Sequence, residues 1–177
     1  TSEKYLSIIF IPSVIVALFC SEIIISLVLG NEYVKKHDIL LYLLIMVYLL
    51  SITRPYFSFL MGIDKPKIVA YIGISSAFIN IFLNLIFIPE EFLGYSGLNL
   101  GASGAAISTV VSIFFSFILA RFFSYRYGLA YNFKILLHLT FLIAILPFLY
   151  FTHTDFYIFN VIQATIILFL FFFVMYF

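Results

Sequence analysis

Two asparagines, Asn80 and Asn84, lie four residues apart within a long apolar stretch, so a helix would present both amides on one face. Inside a membrane such amide groups either face a solvated cavity or hydrogen-bond a neighbouring helix. Two interpretations follow from this spacing. The pair either lines a solvated cavity or holds two helices together.

Arg54, which Pro55 follows, is a cation inside another apolar stretch. A charge within a membrane span is costly and usually faces a bundle interior or a water-filled cavity. Gly62 follows about two helical turns later, or about 12 Å along a helix axis, and a long side chain can extend over part of that distance. Arg54 is therefore either an interfacial anchor or a cation for an anionic substrate, since guanidinium groups bind phosphate and carboxylate oxygens in pairs.

Glu22 is the remaining charged residue inside an apolar stretch. Its carboxyl group either reaches the nearby membrane interface or serves as a coupling or cavity residue, because a carboxylate buried without a partner is costly. Candidate substrate-binding residues are thus Arg54, Asn80, Asn84 and Glu22.

Residues suited to covalent chemistry are missing from the sequence. His37 and Asp38 are neighbours, and adjacent residues on a helix do not face one another. Cys20 is the only cysteine and lies among apolar residues, which excludes an internal disulfide. We find no Ser-His-Asp set, metal-ligand cluster or phosphate-binding glycine loop. The sequence predicts no catalytic residue, no metal and no cofactor, and hence a protein that is not an enzyme.

The elements that position these residues are predicted from composition. Of the 177 residues, 65% are apolar and 10% charged, whereas a soluble domain carries about 25% charged residues. A small soluble domain cannot cover that much apolar surface, so the chain is predicted to contact membrane lipid. The net charge of +1 favours no nucleic-acid partner.

Continuous apolar stretches without alternation favour helices over the strands of a barrel, and helices satisfy their own backbone in lipid. A spanning helix needs about 20 residues. We predict an all-α, polytopic membrane bundle in a single membrane domain, residues 1–177. Its six transmembrane helices are predicted at about 6–29, 39–61, 68–88, 102–123, 135–151 and 156–177.

The distribution of basic residues predicts the orientation. Lys35 and Lys36 are the only basic residues of the loops on one side. The other side, which holds the N-terminus, carries Lys4, Lys65, Lys67, Arg121, Arg126 and Lys134. An excess of Lys and Arg marks the cytoplasmic side. We therefore expect both chain ends to be cytoplasmic, in a multi-pass protein of a prokaryotic cytoplasmic membrane.

Small residues follow the asparagine face on the third predicted helix and form a matching stripe on the fourth. Such residues let two helix backbones approach closely, so the two helices are predicted to pack as a hairpin. The stripe consists of Gly73, Ser76 and Ala77 on the third helix and of Gly101, Ala105, Ser108 and Ser112 on the fourth.

Four segments in this order resemble the C-terminal region of polysaccharide biosynthesis flippases. That superfamily also holds the lipid II flippases and the multidrug and toxin extrusion transporters. The segments are LGNEY (29–33), MGIDKPK (61–67), NIFLNLIFIP (80–89) and GASGAAISTVVS (101–112). One departure is the connection that begins at Glu90, which is longer than the family's. The last two predicted helices resemble the family only in hydrophobicity.

The resemblance implies transport of a polyprenyl-linked oligosaccharide across the membrane by alternating access, without covalent chemistry. It implies membrane lipid as a partner, and an N-terminal lobe of the same polypeptide beyond this chain, which would then be a C-terminal fragment. Arg54 is the candidate for the anionic headgroup, and Asn80 and Asn84 are candidates for sugar hydroxyls.

Three alternatives stay open. A cation-coupled small-molecule exporter of the same superfamily would need acidic residues deep in the bundle, where Glu22 is the only candidate. A membrane glycosyl- or acyltransferase would need clustered acidic or histidine residues at one face, and the basic-side loops offer only Asp64. A structural helical subunit would need no substrate.

Overall fold

The computed structural model describes residues 2–92, 95–129 and 167. The chain divides into two compact units, one formed by Thr1–Lys35 with Tyr131–Phe177 and the other by Lys36–Ala130. The single membrane domain stays a prediction. The predicted fifth and sixth helices, 135–151 and 156–177, lie outside the described residues apart from Ile167, which is helical and buried.

In the first unit the predicted helix 6–29 is divided in two. Helix α1 covers Ser2–Phe19 and helix α2 covers Ser21–Val28, and the segments Tyr5–Ala17 and Ser21–Val28 meet at 73°. The break is at Cys20, whose ψ of 8° departs from the value of an α-helix. Gly30 ends the segment with a φ of +101°, a conformation that glycine adopts without strain.

The second unit, Lys36–Ala130, contains three long helices and is called the three-helix unit below. A 3₁₀ helix, Asn31–Lys36, leads into α3, His37–Gly62. Helix α4 covers Pro66–Phe87, and Pro66 occupies a first-turn position where its missing N–H costs no hydrogen bond. Helix α5 covers Gly101–Arg126. The predicted helices 39–61, 68–88 and 102–123 agree with these bounds to within three residues.

These three helices are long and apolar enough to cross a membrane, and the bent pair α1–α2 would add a fourth span if it crosses as one. The described chain is thus predominantly helical, as predicted. Such a set of apolar helices is typical of a membrane protein.

Helix α5 packs against both α3 and α4, whereas α3 and α4 contact one another much less. The face that α5 buries consists largely of small residues, which allows close approach of its neighbours. The buried small residues of α5 are Gly104, Ala106, Ser108, Ser112, Ser116, Ala120 and Ser124. Large side chains of α3 are buried as well, namely Tyr48, Ile52, Tyr56 and Leu60, and the Tyr56 ring meets the Phe117 ring of α5 at 6.0 Å.

The connection between α4 and α5 folds back on the end of α4. Its strands, Glu91–Phe92 and Tyr95–Ser96, pair antiparallel. The amides of Leu98 and Leu100 then donate hydrogen bonds to the carbonyls of Ile86 and Phe87, at 3.0 and 2.9 Å. Since the last carbonyls of a helix have no partner within it, this connection caps α4 with backbone groups.

Candidate functional site

A cleft of about 290 Å³ opens between the three helices of the three-helix unit, and Arg54 is the only charged residue among the described residues that line it. Helix α3 supplies one wall, and α4 and α5 supply the other. The lining residues are Leu50, Thr53, Arg54 and Phe57 from α3, Gly73 and Ser76 from α4, and Ile113 and Ser116 from α5.

Arg54 is exposed, and within the described part of the chain no carboxylate pairs with it. Helix α3 continues through Pro55 to Gly62, so the guanidinium belongs to a residue about 12 Å along the axis from that helix end. On the same face, at helical spacing, lie Leu43, Val47 and Leu50, which are also exposed. Arg54 is therefore a cation within an apolar surface.

Two of the hydroxyl groups that line the cleft donate to backbone carbonyls. Thr53 Oγ1 donates to the Leu49 carbonyl at 2.6 Å, within α3. Ser76 Oγ donates to the Ser112 carbonyl of α5 at 2.7 Å. Each of these two hydroxyl groups donates its proton to a carbonyl, and its oxygen can still accept a hydrogen bond. The cleft thus offers one strong cationic donor, weakly polar walls, and apolar contacts from Leu50, Phe57 and Ile113.

The two asparagines lie in the contact between α4 and α5 and do not line the cleft. The amide nitrogen of Asn80 donates to Thr109 Oγ1 at 3.3 Å and to Ser112 Oγ at 3.4 Å. Asn84 Nδ2 donates to Asn80 Oδ1 at 3.1 Å. Thr109 in turn donates to the Ala105 carbonyl at 2.8 Å. These bonds form a polar chain that joins the two helices.

This chain ends at Asn84, whose Oδ1 atom is buried without a hydrogen-bond partner. An unsatisfied buried acceptor is costly, by about 1–3 kcal/mol. Asn84 is therefore a member of the polar chain whose carbonyl oxygen lacks a hydrogen-bond partner among the described residues.

The predicted stripe of small residues divides between the two features. Ser76 and Ser112 meet in the α4–α5 contact, and Ser108 is fully buried, with its hydroxyl bonded to the Gly104 carbonyl at 2.8 Å. Gly73 lines the cleft, and Ala77 is exposed. Ala105 accepts the hydrogen bond from Thr109, and Gly101 begins α5 with a φ of +52°.

Glu22 is exposed in the first turn of α2 and belongs to the first unit. Its interpretation as a coupling or cavity residue stays a prediction.

Sequence reasoning missed a buried cation. Arg121 was assigned to the basic loops, yet only 7% of its surface is exposed, and its guanidinium carbon lies 5.3 Å from the centre of the Tyr125 ring. Tyr56 of α3 meets the Tyr125 ring edge-on at 6.3 Å. The spacing of Ser108, Ser112 and Ser116 predicts one buried face of α5, whereas Arg121 lies one turn after Phe117, which is also buried, on another side of the helix.

Thr109 was missed as well, although it lies four residues after Ala105 and three before Ser112, on the same stripe. Within the described residues, no group of three or more His, Cys, Asp or Glu side chains could hold a metal ion.

Comparison with protein-family models, with curated proteins and with solved structures finds no significant match. The described helices and the cleft therefore define a helical chain suited to a membrane, with a cationic cleft among three of its helices.

Proposed function

We propose that this protein is part of a transporter that moves lipid-linked oligosaccharide or polysaccharide precursors across the cytoplasmic membrane by alternating access. The observation that carries the proposal is the cleft in which Arg54 stands alone as a cation among apolar and hydroxyl-bearing residues. It is supported by the resemblance of four ordered segments to polysaccharide biosynthesis flippases.

The chemistry of the cleft matches the head of a lipid-linked sugar. Such a molecule joins an apolar chain to a phosphate or diphosphate, and a guanidinium donates two parallel hydrogen bonds to phosphate oxygens. In surroundings of low dielectric this attraction is stronger than in water. Phe57 and Leu50 beside Arg54 give the first carbons of the lipid an apolar surface.

Transport also requires that the anionic headgroup leave Arg54 again, so its binding must be reversible. Arg54 meets this requirement because no carboxylate of the described residues competes for it and because its cleft is open. No covalent step is needed, and the cleft contains no nucleophile with a neighbouring general base.

In this proposal the face of α3 that carries Leu43, Val47, Leu50 and Arg54 borders the substrate cavity. The other wall of that cavity belongs to an N-terminal lobe of the same polypeptide, as the resemblance implies. The polar chain between α4 and α5 keeps the three-helix unit rigid, so that it moves as one body during alternating access.

The proposed orientation follows from the charges. The α3–α4 turn carries Lys65 and Lys67, and the α4–α5 connection carries Glu90 and Glu91. The excess of basic residues then places the α3–α4 turn on the cytoplasmic side. The proposed topology has six spans, with both chain ends in the cytoplasm. Arg54 then lies nearer to the cytoplasmic side, where a lipid-linked precursor is loaded.

A cation-coupled small-molecule exporter is the rival function. Its coupling chemistry requires an acidic group in the binding cavity, and no residue that lines the cleft is acidic. The cleft therefore favours an anionic over a cationic substrate.

The experiment is a flipping assay with the full-length protein in phosphatidylcholine liposomes and a fluorescent polyprenyl-diphosphate oligosaccharide. We expect Arg54→Gln to lower the flipping rate by about 10- to 100-fold, the range for a lost charged hydrogen bond. Arg54→Lys should recover part of the loss, because it keeps the charge without the paired donors.

Lys36→Gln is the matched control, since it removes one positive charge at the other end of α3. Equal rates for wild type and Arg54→Gln would contradict the proposal, as would an equal loss in both variants. Transport of an organic cation, with no transport of the lipid-linked substrate, would favour the exporter instead.

A further inference from the structure

Three exposed cations meet at the end of the three-helix unit where α3 ends, α4 begins and α5 ends. Lys65 and Lys67 lie at the α3–α4 turn, and Arg126 is the last residue of α5. The Lys65 ammonium lies 5.7 Å from the centre of the Tyr127 ring, which places that turn beside the end of α5. Within the described part of the chain none of the three forms an ion pair, although Asp64 is adjacent to Lys65.

An exposed apolar residue stands one turn from each of these cations, toward the middle of a helix. Tyr71, 69% exposed, follows Lys67 on one face of α4, and Phe122, 55% exposed, precedes Arg126 on one face of α5. Met61, 60% exposed, lies in the last turn of α3, four residues before Lys65 in the chain. Side chains of this kind place cations at the level of lipid headgroups and apolar groups among the acyl chains.

One helix begins and two helices end at the same place. Helix α4 begins beside Lys65 without a side-chain cap, so its first N–H groups and the positive end of its dipole lie among the cations. The negative dipole ends of α3 and α5 lie here too, but the carbonyls of Phe59, Leu60 and Met61 in α3 already accept hydrogen bonds from Ile63, Lys65 and Asp64. In α5 the carbonyls of Phe123, Ser124 and Tyr125 accept hydrogen bonds from Tyr127, Leu129 and Gly128. The donors offered to an anion here are therefore the three cationic side chains and the first N–H groups of α4.

The opposite end of the same unit holds Lys36 but is acidic on balance, with Asp38, Glu90 and Glu91. Glu90 and Glu91 are both exposed in the connection that follows α4. The two ends thus differ in sign, and only the end with Lys65, Lys67 and Arg126 suits an anionic partner.

We infer that this end of the three-helix unit binds the phosphate headgroup of an anionic phospholipid, held between Lys65, Lys67 and Arg126. The occupant is a lipid because exposed apolar side chains flank every cation on the side toward the helix middles. This inference does not depend on the proposed transport function.

The experiment measures the association of spin-labelled phosphatidylglycerol and spin-labelled phosphatidylcholine with the full-length protein in phosphatidylcholine membranes. We expect the wild type to prefer phosphatidylglycerol. The variant Lys65→Gln/Lys67→Gln/Arg126→Gln should lose that preference, by about fivefold for each cation removed. The variant Lys65→Arg should keep it, which shows that charge is the recognised property.

Lys35→Gln/Lys36→Gln is the control, because it removes positive charge from the opposite end of α3. It should leave the preference unchanged. A wild type without preference would overturn the inference, and so would an equal loss in the control and the triple variant. If an acidic peptide displaces the labelled lipid and binds the wild type more tightly than phosphatidylglycerol does, the partner is a polypeptide and the inference is wrong.

Discussion

Gly104 lies against the carbonyl oxygen of Phe87, such that a Cβ atom at position 104 would be 2.7 Å from that oxygen. The first turn of α5 and the last turn of α4 therefore touch backbone to backbone. Below this contact, Ser76, Asn80 and Thr109 continue the pairing of the two helices through hydrogen bonds. The α4–α5 hairpin is thereby fixed as one wall of the cleft that contains Arg54.

The variant Gly104→Ala should destabilise the protein. The new methyl group would force α4 and α5 apart, and overpacking of this kind costs about 1–3 kcal/mol. The measurement is the free energy of unfolding of the full-length protein in detergent. Gly62→Ala is the control, since a Cβ there has no neighbour within 4 Å. Equal stability of the two variants would contradict the close contact.

Asn80 and Thr109 should show an energetic coupling. In a double-mutant cycle with Asn80→Ala and Thr109→Val, we expect a coupling of about 0.6 kcal/mol, the average for hydrogen bonds between membrane helices. The pair Asn80→Ala and Thr53→Val serves as the control, because Thr53 bonds only the Leu49 carbonyl of its own helix. A coupling as large in the control pair would show that the observed bond is not its source.

Gly73→Leu should block the cleft without unfolding the protein. Gly73 lines the cleft, and a Cβ there meets nothing within 4 Å, so the leucine side chain has room to enter it. Flipping should fall at least as far as in Arg54→Gln, while thermal stability stays constant or rises slightly, because leucine favours a helix by up to about 1 kcal/mol over glycine. Gly62→Leu, outside the cleft lining, should leave flipping unchanged. Normal transport by Gly73→Leu would show that the substrate passes elsewhere.

Thiol labelling should place the two ends of α4 on opposite sides of the membrane. With Cys20→Ala as background, a membrane-impermeant reagent should modify Glu91→Cys from outside intact cells. It should modify Lys67→Cys only after the cells are opened, because the basic end is cytoplasmic in the proposed orientation. Both positions are exposed in the structure. The reverse pattern would invert the topology, and labelling of both from outside would mean that α4 does not span the membrane.

Much of the three-helix unit could be predicted from the sequence, because the lengths of its apolar runs agree with the positions of residues that mark helix ends. Each of α3, α4 and α5 is an apolar run long enough to span, and Gly62 or Pro66 marks an end. The break at Cys20 could not be predicted, since Cys20 is apolar and carries none of the usual helix-ending signals. The strands 91–92 and 95–96 were missed because two-residue strands leave too few residues for an alternating pattern.

The site was predictable only in part. Arg54 and Asn80 stood out because polar groups are rare in apolar runs, but their environments depend on how the helices rotate against one another. That rotation places Arg54 in a cleft and Asn80 in a helix contact. It also buries Arg121, which its nearness to the end of α5 suggested to be an interfacial charge.

The central claim, that the Arg54 cleft holds the anionic head of a lipid-linked oligosaccharide, is tested most directly by substrate protection. In the full-length protein with Cys20→Ala and with Arg54 retained, Leu50→Cys is labelled with a membrane-impermeant thiol reagent, with and without a polyprenyl-diphosphate oligosaccharide. Leu50 lines the cleft together with Arg54. Phe78→Cys is the control, since Phe78 is 72% exposed on α4 and does not line the cleft. We predict rapid labelling at position 50, slowed by the substrate, and no labelling at position 78. No labelling at position 50, or labelling that the substrate does not slow, would contradict the account.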